Sequence, residues 1–368
     1  MIAAVVAGLV SWFLPRPPVL PVRVRLDGSE GPGFPLAFSP DGLILATGHL
    51  SGNIQLWDQT TGKLRSTLIH REVMDLGAVF SPDSRKIAVR GTDLQFKVRT
   101  ITVFEVETGR ELTRISVPGP VVIPSMWFAP DGSTLNLIRW DNLSGGATPF
   151  HFFSWDTATW GRREDRPLPL KRHDIVAVSK DGRTLAAGDF HAPQVTLWDV
   201  DSGRQLTSLT VGKRSSPAGV WVWSLGFSPD GSTLAVGRDE GELELWDLHA
   251  RSLRASLRWH SPGYAPQGVV FGPGRERLIS AGMDRGVQTY LAQLMTGVGN
   301  LFRPRGAARI GRELRPGEII LGDVASRRPR VKLGGETWPL LSPDGKTMAT
   351  RSPGGSILLR DVPSESHR

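Results

Sequence analysis

The chain has 368 residues, of which 44 are Lys or Arg and 36 are Asp or Glu, so its formal net charge is +8 at pH 7. A hydrophobic content of 39% and a charged content of 22% are ordinary for a globular protein and exclude a wholly disordered chain. Cysteine is absent, which excludes a disulfide framework, a thiolate zinc site and a cysteine nucleophile. The positive charge favours acidic partners such as nucleic acid, anionic lipid or acidic protein surfaces.

The N-terminal segment, residues 2–14 (IAAVVAGLVSWFL), is uncharged and almost wholly apolar, and a Pro-rich linker follows it to residue 18. A helix of this length spans about 20 Å, which is less than the ~30 Å hydrocarbon core of a bilayer. Three hypotheses are open: a membrane anchor that is short or begins upstream, an atypical export signal, or an arm packed on the body. We favour the anchor, which predicts a membrane-associated protein with a transmembrane helix. Without an anchor, the protein would be cytoplasmic.

A sequence repeat of roughly 45 residues recurs along the rest of the chain, and its most complete copy is Leu36–Leu68. Each copy begins with an apolar strand followed by a tight turn, which reads Ser-Pro-Asp-Gly in its full form. Pro fixes φ at the first central position of a type I turn, Asp suits the second, and Gly ends the turn. The seven turns lie at residues 39–42, 81–84, 129–132, 179–182, 228–231, 272–275 and 342–345.

The third strand of each copy ends in a second signature, which reads Trp-Asp in its full form. Its tryptophan is present as Trp57, Trp155, Trp198 and Trp246, and is replaced by Phe104, Gly322 and Arg360. We expect the Asp of this signature to bond turn amides at the end of the strand. A fourth, more polar strand follows a Thr-Gly or Ser-Gly turn. Four short strands cannot bury both faces alone, so neighbouring copies must stack on one another.

These paired signatures resemble the WD-repeat family over roughly residues 22–363. The resemblance implies an all-β fold, a seven-bladed β-propeller of four-stranded antiparallel blades. The family's structural tetrad also has a Gly-His dipeptide and an Asp in the turn before the third strand. That Asp is matched by Asp239 and Asp284, whereas Gly-His is found only out of place at His49. The hydrogen bonds of the tetrad are therefore not assumed for this chain.

The last copy has three strands and then the chain ends, whereas Pro21–Leu26 (PVRVRL) supplies a spare strand before the first copy. Pairing this strand with the last copy would join two open edges and close the ring. We therefore predict that this N-terminal strand completes the last blade. The predicted domains are the N-terminal segment and linker at residues 1–18, one propeller at 19–363, and a tail at 364–368.

The sixth copy is longer than the others, and we interpret residues 288–317 as an insertion between its second and third strands. Ile319–Leu333 matches Ile54–Leu68 position for position in length, so it predicts the third and fourth strands of this copy. The alternative is a degenerate eighth blade. The insertion is rich in arginine, with Glu313 as the one opposing charge among Arg303, Arg305, Arg309, Arg312 and Arg315.

Motifs for chemistry are absent: we find no P-loop, no dinucleotide-binding glycine motif, no His-Glu-x-x-His and no Gly-x-Ser-x-Gly. The eight His residues are scattered singly. We therefore predict a protein that is not an enzyme and has no cofactor and no metal. The less favoured alternative is a propeller enzyme that uses the central channel.

A propeller places the connections between blades, and those between second and third strands, on one face. The sequence therefore predicts a non-catalytic scaffold that binds a protein or peptide, acidic partners included, through a basic and aromatic face. The predicted binding residues are Trp221, Trp259, Tyr264, Trp338, Arg303, Arg305, Arg309 and Arg312. The alternative is binding of nucleic acid or anionic lipid through the Arg-rich insertion.

Overall fold

The computed structural model describes most of the predicted repeats, and these residues form 28 strands and no α-helix. The described residues are 20–27, 31, 33–72, 74–93, 98–118, 121–141, 150–170, 175–188, 192–212, 222–238, 241–261, 264–273, 277–284 and 317–363.

The strands form seven antiparallel sheets of four strands each, which are the blades. Blades 1 to 3 comprise β2 (Gly33–Phe38), β3 (Ile44–His49), β4 (Asn53–Asp58) and β5 (Leu64–Ile69); β6 (Met74–Phe80), β7 (Lys86–Thr92), β8 (Val98–Glu105) and β9 (Glu111–Pro118); and β10 (Val121–Phe128), β11 (Thr134–Asp141), β12 (Phe150–Asp156) and β13 (Arg162–Leu168).

Blades 4 to 7 follow the same order from inner to outer strand. They comprise β14 (Ile175–Val178), β15 (Thr184–Gly188), β16 (Gln194–Asp199) and β17 (Gln205–Thr210); β18 (Val222–Phe227), β19 (Thr233–Arg238), β20 (Glu242–Asp247) and β21 (Ser252–Arg258); β22 (Tyr264–Phe271), β23 (Arg277–Asp284), β24 (Glu318–Asp323) and β25 (Arg328–Gly334); and β26 (Thr337–Leu341), β27 (Thr347–Arg351), β28 (Ile357–Asp361) and β1 (Val22–Leu26).

The blades close into a ring. The first strand of each blade contacts the first strand of the next, and β26 returns to β2. Strand β1 pairs antiparallel with β28, with Val24 opposite Leu359 and Leu26 opposite Ile357. The predicted closure and the seven-bladed propeller are therefore confirmed. Strand β23 pairs directly with β24, so blade 6 is complete and the eight-bladed alternative is wrong.

The hydrophobic core lies between neighbouring blades. Ile44 and Leu56 of blade 1, for example, pack in one cluster with Phe80 and Ile87 of blade 2. The closing strand takes part in the same way, because Leu26 packs with Trp57 of blade 1. Each fully buried side chain of this size contributes about 1.5–3 kcal/mol, so neighbouring blades stabilise one another.

Six of the seven predicted turns are confirmed, and their hydrogen bonds explain the residue types; the turn at 272–275 lies partly outside the described residues. The Gly42 amide donates to the Ser39 carbonyl over 2.8 Å, which closes the turn. The Ser39 hydroxyl donates to Asp41, and the same carboxylate accepts the amide of Leu43 over 2.9 Å. Gly42 has φ of +75°, a left-handed conformation that glycine adopts without strain.

The Asp of the Trp-Asp signature also has the predicted structural role. Asp58 Oδ1 accepts the amides of Thr60 and Thr61 over 3.1 and 2.8 Å. Arg65, seven residues further on, donates to the other carboxylate oxygen. The Arg65 guanidinium and the Thr61 amide hold the pKa of Asp58 far below its usual range, so this carboxylate is a fixed anion within the turn.

Blade 6 replaces the signature tryptophan with Gly322, and a tryptophan from blade 5 fills the space. A Cβ atom placed on Gly322 would lie 2.3 Å from Cη2 of Trp259. The Trp259 residue is 7% exposed, and its Nε1 donates to the carbonyl of Arg327 in blade 6 over 3.3 Å. The missing side chain and the extra one therefore compensate for each other across the blade boundary.

Candidate partner-binding face

The two faces of the ring carry different connections, because antiparallel strands place alternate connections at opposite ends of a blade. One end carries the Ser-Pro-Asp-Gly and Thr-Gly turns. The other end, which we call the loop face, carries the connections between blades and those between the second and third strands. Strand β23 ends and β24 begins at the loop face, and residues 285–316 between them, which contain most of the predicted insertion, lie outside the described residues.

Trp338 is an unusually exposed aromatic residue on this face. It belongs to the innermost strand of blade 7, yet it is 52% exposed. Pairing of β26 with β27 is interrupted between Thr337 and Leu340, so Trp338 lies in a bulge. Its φ is +57°, in the left-handed region that costs a non-glycine residue about 1–2 kcal/mol. The bulge and this backbone conformation together hold a large aromatic side chain at the surface.

A pocket of about 300 Å³ lies beside Trp338, between blades 6 and 7. Its size is at the small end of the range for ligand pockets, about 300–1,000 Å³. Val270, which is 38% exposed, forms part of the wall on the inner strand of blade 6. The apolar lining also includes Ile279, Ala281, Met283 and Pro339.

Two acidic residues border the pocket, and each is matched by a cation. The carboxylate of Glu318 lies 2.8 Å from Lys332 Nζ, and it also accepts the Ser261 hydroxyl over 2.6 Å. Burial raises the pKa of Glu318, but its contacts with His260, Lys332 and Ser261 outweigh burial and hold the pKa at about 2.

The second acidic residue, Glu336, forms an ion pair with Arg360 and accepts the Thr350 hydroxyl over 2.6 Å. Both carboxylates of the pocket are therefore paired with a cation. The pocket does not carry an uncompensated negative charge from either of them.

An arginine lies on the other side of Trp338. The guanidinium carbon of Arg351 is 4.4 Å from the ring centroid of Phe34, and the Phe34 and Trp338 rings meet edge to face at 5.9 Å. Arg351 Nε is buried and has no hydrogen-bond partner. Burial lowers the pKa of Arg351, with no neighbouring acid among the described residues to oppose that effect.

The predicted binding residues fall in three different settings. Trp338 is exposed on the loop face, whereas Trp259 and Tyr264 are 7% and 4% exposed and belong to the interior. A side chain this deeply buried presents little surface to a partner, so these two residues hold the blades that form the face. The remaining predicted binding residues, Trp221, Arg303, Arg305, Arg309 and Arg312, lie outside the described residues.

The sequence analysis did not predict Phe34 and Arg351 as residues of the candidate site. Each follows the ordinary strand pattern of its repeat, and nothing in the pattern indicates that one packs on the other across two blades. The sequence does show that the last copy has Arg351 where the first copy has Gly48, but the second copy has Arg90 at the same position, so the arginine alone does not mark a site.

The described residues contain neither a candidate metal site nor a membrane-spanning helix. Among them, no three His, Asp or Glu residues come together in a way that could hold a metal ion. Nor do these ranges contain a helix long and apolar enough to cross a membrane. The predicted anchor at residues 2–14 lies outside the described residues.

Comparison with known proteins agrees with the repeat architecture. A family model described as "WD domain, G-beta repeat" matches residues 36–58 and 210–247. The WD repeat-containing protein 26 homolog of Drosophila melanogaster is 38% identical over 260 residues, which cover 67% of this chain and 37% of that protein. The chain belongs to the WD-repeat family. Members of this family are generally non-enzymatic scaffolds.

Two further relatives come from Arabidopsis thaliana. SEC12-like protein 2 is 24% identical over 233 residues, covering 62% of this chain and 55% of that protein. The U3 snoRNP-associated protein-like EMB2271 is 29% identical over 160 residues, covering 42% of this chain and 31% of that protein. The chain thus spans between 31% and 55% of the length of these three relatives.

The WD-repeat tetrad is present in part. In blade 1, Trp57 Nε1 donates to the Thr47 hydroxyl over 2.9 Å, and that hydroxyl lies 3.2 Å from His49 Nε2, so the displaced His49 still joins the network. Blade 7 has Arg360 in the tryptophan position and an ion pair with Glu336 instead. The family's hydrogen-bond pattern is therefore partly replaced by buried ion pairs.

Proposed function

We propose that this WD-repeat propeller is a non-catalytic scaffold that binds a protein or peptide partner through its loop face. The observation that carries the proposal is Trp338, a half-exposed tryptophan in a left-handed bulge beside an apolar pocket. Tryptophan and arginine are enriched among the residues that dominate interface energies. The bulge exposes apolar surface at a cost in free energy, which binding at this position would offset.

The predicted residues outside the described ranges belong to the same proposal. Trp221 would add a second aromatic anchor, and Arg303, Arg305, Arg309 and Arg312 would attract acidic groups of the partner. A membrane tether through residues 2–14 stays a prediction. The chain enters β1 at the end of blade 7 opposite the loop face, where Val22 pairs with Arg360, so the tether would leave the loop face free for a partner.

Affinity purification from the native cell, with quantitative mass spectrometry, tests the proposal on the full chain. We expect the captured set to lose specific members in Trp338→Ala and in a variant lacking residues 288–317. Leu253→Ala is the matched control, because Leu253 is 47% exposed but lies on an outer strand. An identical captured set for all four proteins would refute a partner site on the loop face.

A second candidate function is binding of nucleic acid through the Arg-rich insertion. The net charge of +8 favours it, and one relative has the name U3 snoRNP-associated protein-like EMB2271. Affinity for a single-stranded RNA would then fall steeply with added salt, because phosphate contacts release counterions. Salt-independent affinity, or no binding at low salt, would eliminate this candidate.

A further inference from the structure

The starting observation is the incomplete pairing of Arg351. Its guanidinium stacks on Phe34, and its Nε atom is buried without a hydrogen-bond partner. No carboxylate among the described residues forms an ion pair with this partly buried arginine, whereas the buried Arg238 and Arg360 are paired with Glu244 and Glu336. Partial burial of a guanidinium without an acid costs free energy, and an external anion that pairs with Arg351 would offset this cost.

The second observation is what adjoins this arginine. Trp338 contacts Phe34 on one side and lines the apolar pocket on the other. The two carboxylates at the pocket are each paired with a cation, so they do not repel an acidic ligand as free charges would. One ligand could therefore place an apolar group in the pocket and an anionic group near Arg351, with Trp338 between them.

We propose that the cluster of Phe34, Trp338 and Arg351 recognises a peptide in which an acidic residue neighbours an apolar one. The apolar side chain enters the pocket between blades 6 and 7, and the carboxylate pairs with the Arg351 guanidinium. This inference rests on the proposed function, since it names the chemistry of the partner at the same face. Arginine suits the task, because its planar fork can bind a carboxylate through two parallel hydrogen bonds.

The ligand chemistry follows from charge and shape together. An apolar peptide without an acid would leave the partly buried Arg351 unpaired, so it should bind less tightly. An acidic peptide without an apolar residue would leave the pocket of about 300 Å³ empty. The pocket therefore predicts an apolar side chain in the ligand, and Arg351 predicts a carboxylate.

Fluorescence anisotropy with labelled synthetic octapeptides tests the inference on the full chain. One series carries Leu or Phe with Asp one to three residues away, and its control series has Asn in place of Asp. We expect the best Asp peptide to bind about tenfold more tightly than its Asn counterpart, the usual effect of a charge-assisted hydrogen bond.

Protein variants then locate the effect. Arg351→Gln should reduce the affinity for the Asp peptide about tenfold and leave the Asn peptide unchanged, whereas Trp338→Ala should weaken both. Arg258→Gln is the matched control: it removes the same charge from a side chain that is 80% exposed and lies at the end of an outer strand. Arg351→Lys, which keeps the charge, should retain part of the preference. Circular dichroism verifies that each variant is folded.

Several results would overturn the inference. Equal affinity for Asp and Asn peptides with the unaltered protein would do so without any variant, as would equal losses in Arg351→Gln and Arg258→Gln. Binding of a single-stranded oligonucleotide that depends on Arg351, without peptide binding, would assign the cation to phosphate instead. If no peptide binds while affinity purification still shows Trp338-dependent partners, the inference fails and the proposed function stands.

Discussion

The exchange between Trp259 and Gly322 makes a prediction about stability that can be tested with two substitutions and their combination. Trp259 reaches from blade 5 into the position that the signature tryptophan occupies in blade 1. We consider Trp259→Ala, Gly322→Trp and the double variant. The combination moves the indole from one blade to the other and keeps the number of aromatic side chains in the interior the same.

The magnitudes follow from the packing. Trp259→Ala removes an indole that is 7% exposed, which should lower the free energy of unfolding by about 3–5 kcal/mol. In Gly322→Trp alone, the new Cβ lies 2.3 Å from the existing indole. Overpacking should then lower the free energy of unfolding by at least about 1–3 kcal/mol.

The double variant should be more stable than either single variant, within about 1–2 kcal/mol of the unaltered protein. Its introduced indole occupies the vacated space, and the Ser280 hydroxyl lies on the neighbouring strand at the position of Thr47 in blade 1. That hydroxyl now bonds His260 over 2.7 Å, and it can also accept an indole N–H, as Thr47 does from Trp57.

Urea unfolding followed by far-UV circular dichroism and tryptophan fluorescence measures these differences from the transition midpoints. A double variant that loses the sum of the two single effects would refute the compensation. So would a stable Trp259→Ala variant, because that result would mean that the indole does not fill the space above Gly322.

Three other predictions concern the turns, the pairing at the pocket and the closure. The pKa of Glu318 is about 2 in the folded protein, below the ordinary 4.5, because the effect of burial is outweighed by that of its contacts. The ionised Glu318 therefore stabilises the fold fully above pH ~5, and this contribution is lost as the pH falls towards 2. The melting temperature should fall less over this pH range in Glu318→Gln than in the unaltered protein. Ser84→Gly should raise the free energy of unfolding by up to about 1 kcal/mol in urea titrations, because Ser84 has φ of +60°, and an unchanged midpoint would contradict it. If β1 closes the ring, Leu26→Ala should lower the free energy of unfolding by about 2–5 kcal/mol in the same urea assay. Val22→Ala should change it by no more than about 0.5 kcal/mol, because Val22 is 45% exposed, and equal effects of the two substitutions would argue against the closure.

The features that the sequence predicted correctly are those that depend on local chemistry. The Ser39 and Asp41 side chains bond amides within the same turn, so the residue types alone indicate the structure. The closing strand could be predicted as well, because a blade with three strands leaves an edge that must be paired.

The features that the sequence did not predict depend on contacts between blades. Trp259 was expected to be a surface anchor, but the space that buries it is created by a glycine 63 positions later in the chain. Likewise, the setting of Arg351 depends on Phe34, at the opposite end of the chain. Repeat patterns identify positions within a blade, whereas the neighbour of each side chain depends on the closed ring.

The central claim, that the loop face binds a partner around Trp338, is tested most directly by site-specific photo-crosslinking in the full chain. A photoreactive residue is placed at position 338 and, as control, at position 253, which has similar exposure on an outer strand. We predict a specific cross-linked protein or peptide from position 338, lost on competition with an excess of unlabelled propeller, and none from position 253. Cross-links from position 253 alone, or the same products from both positions, would contradict the account.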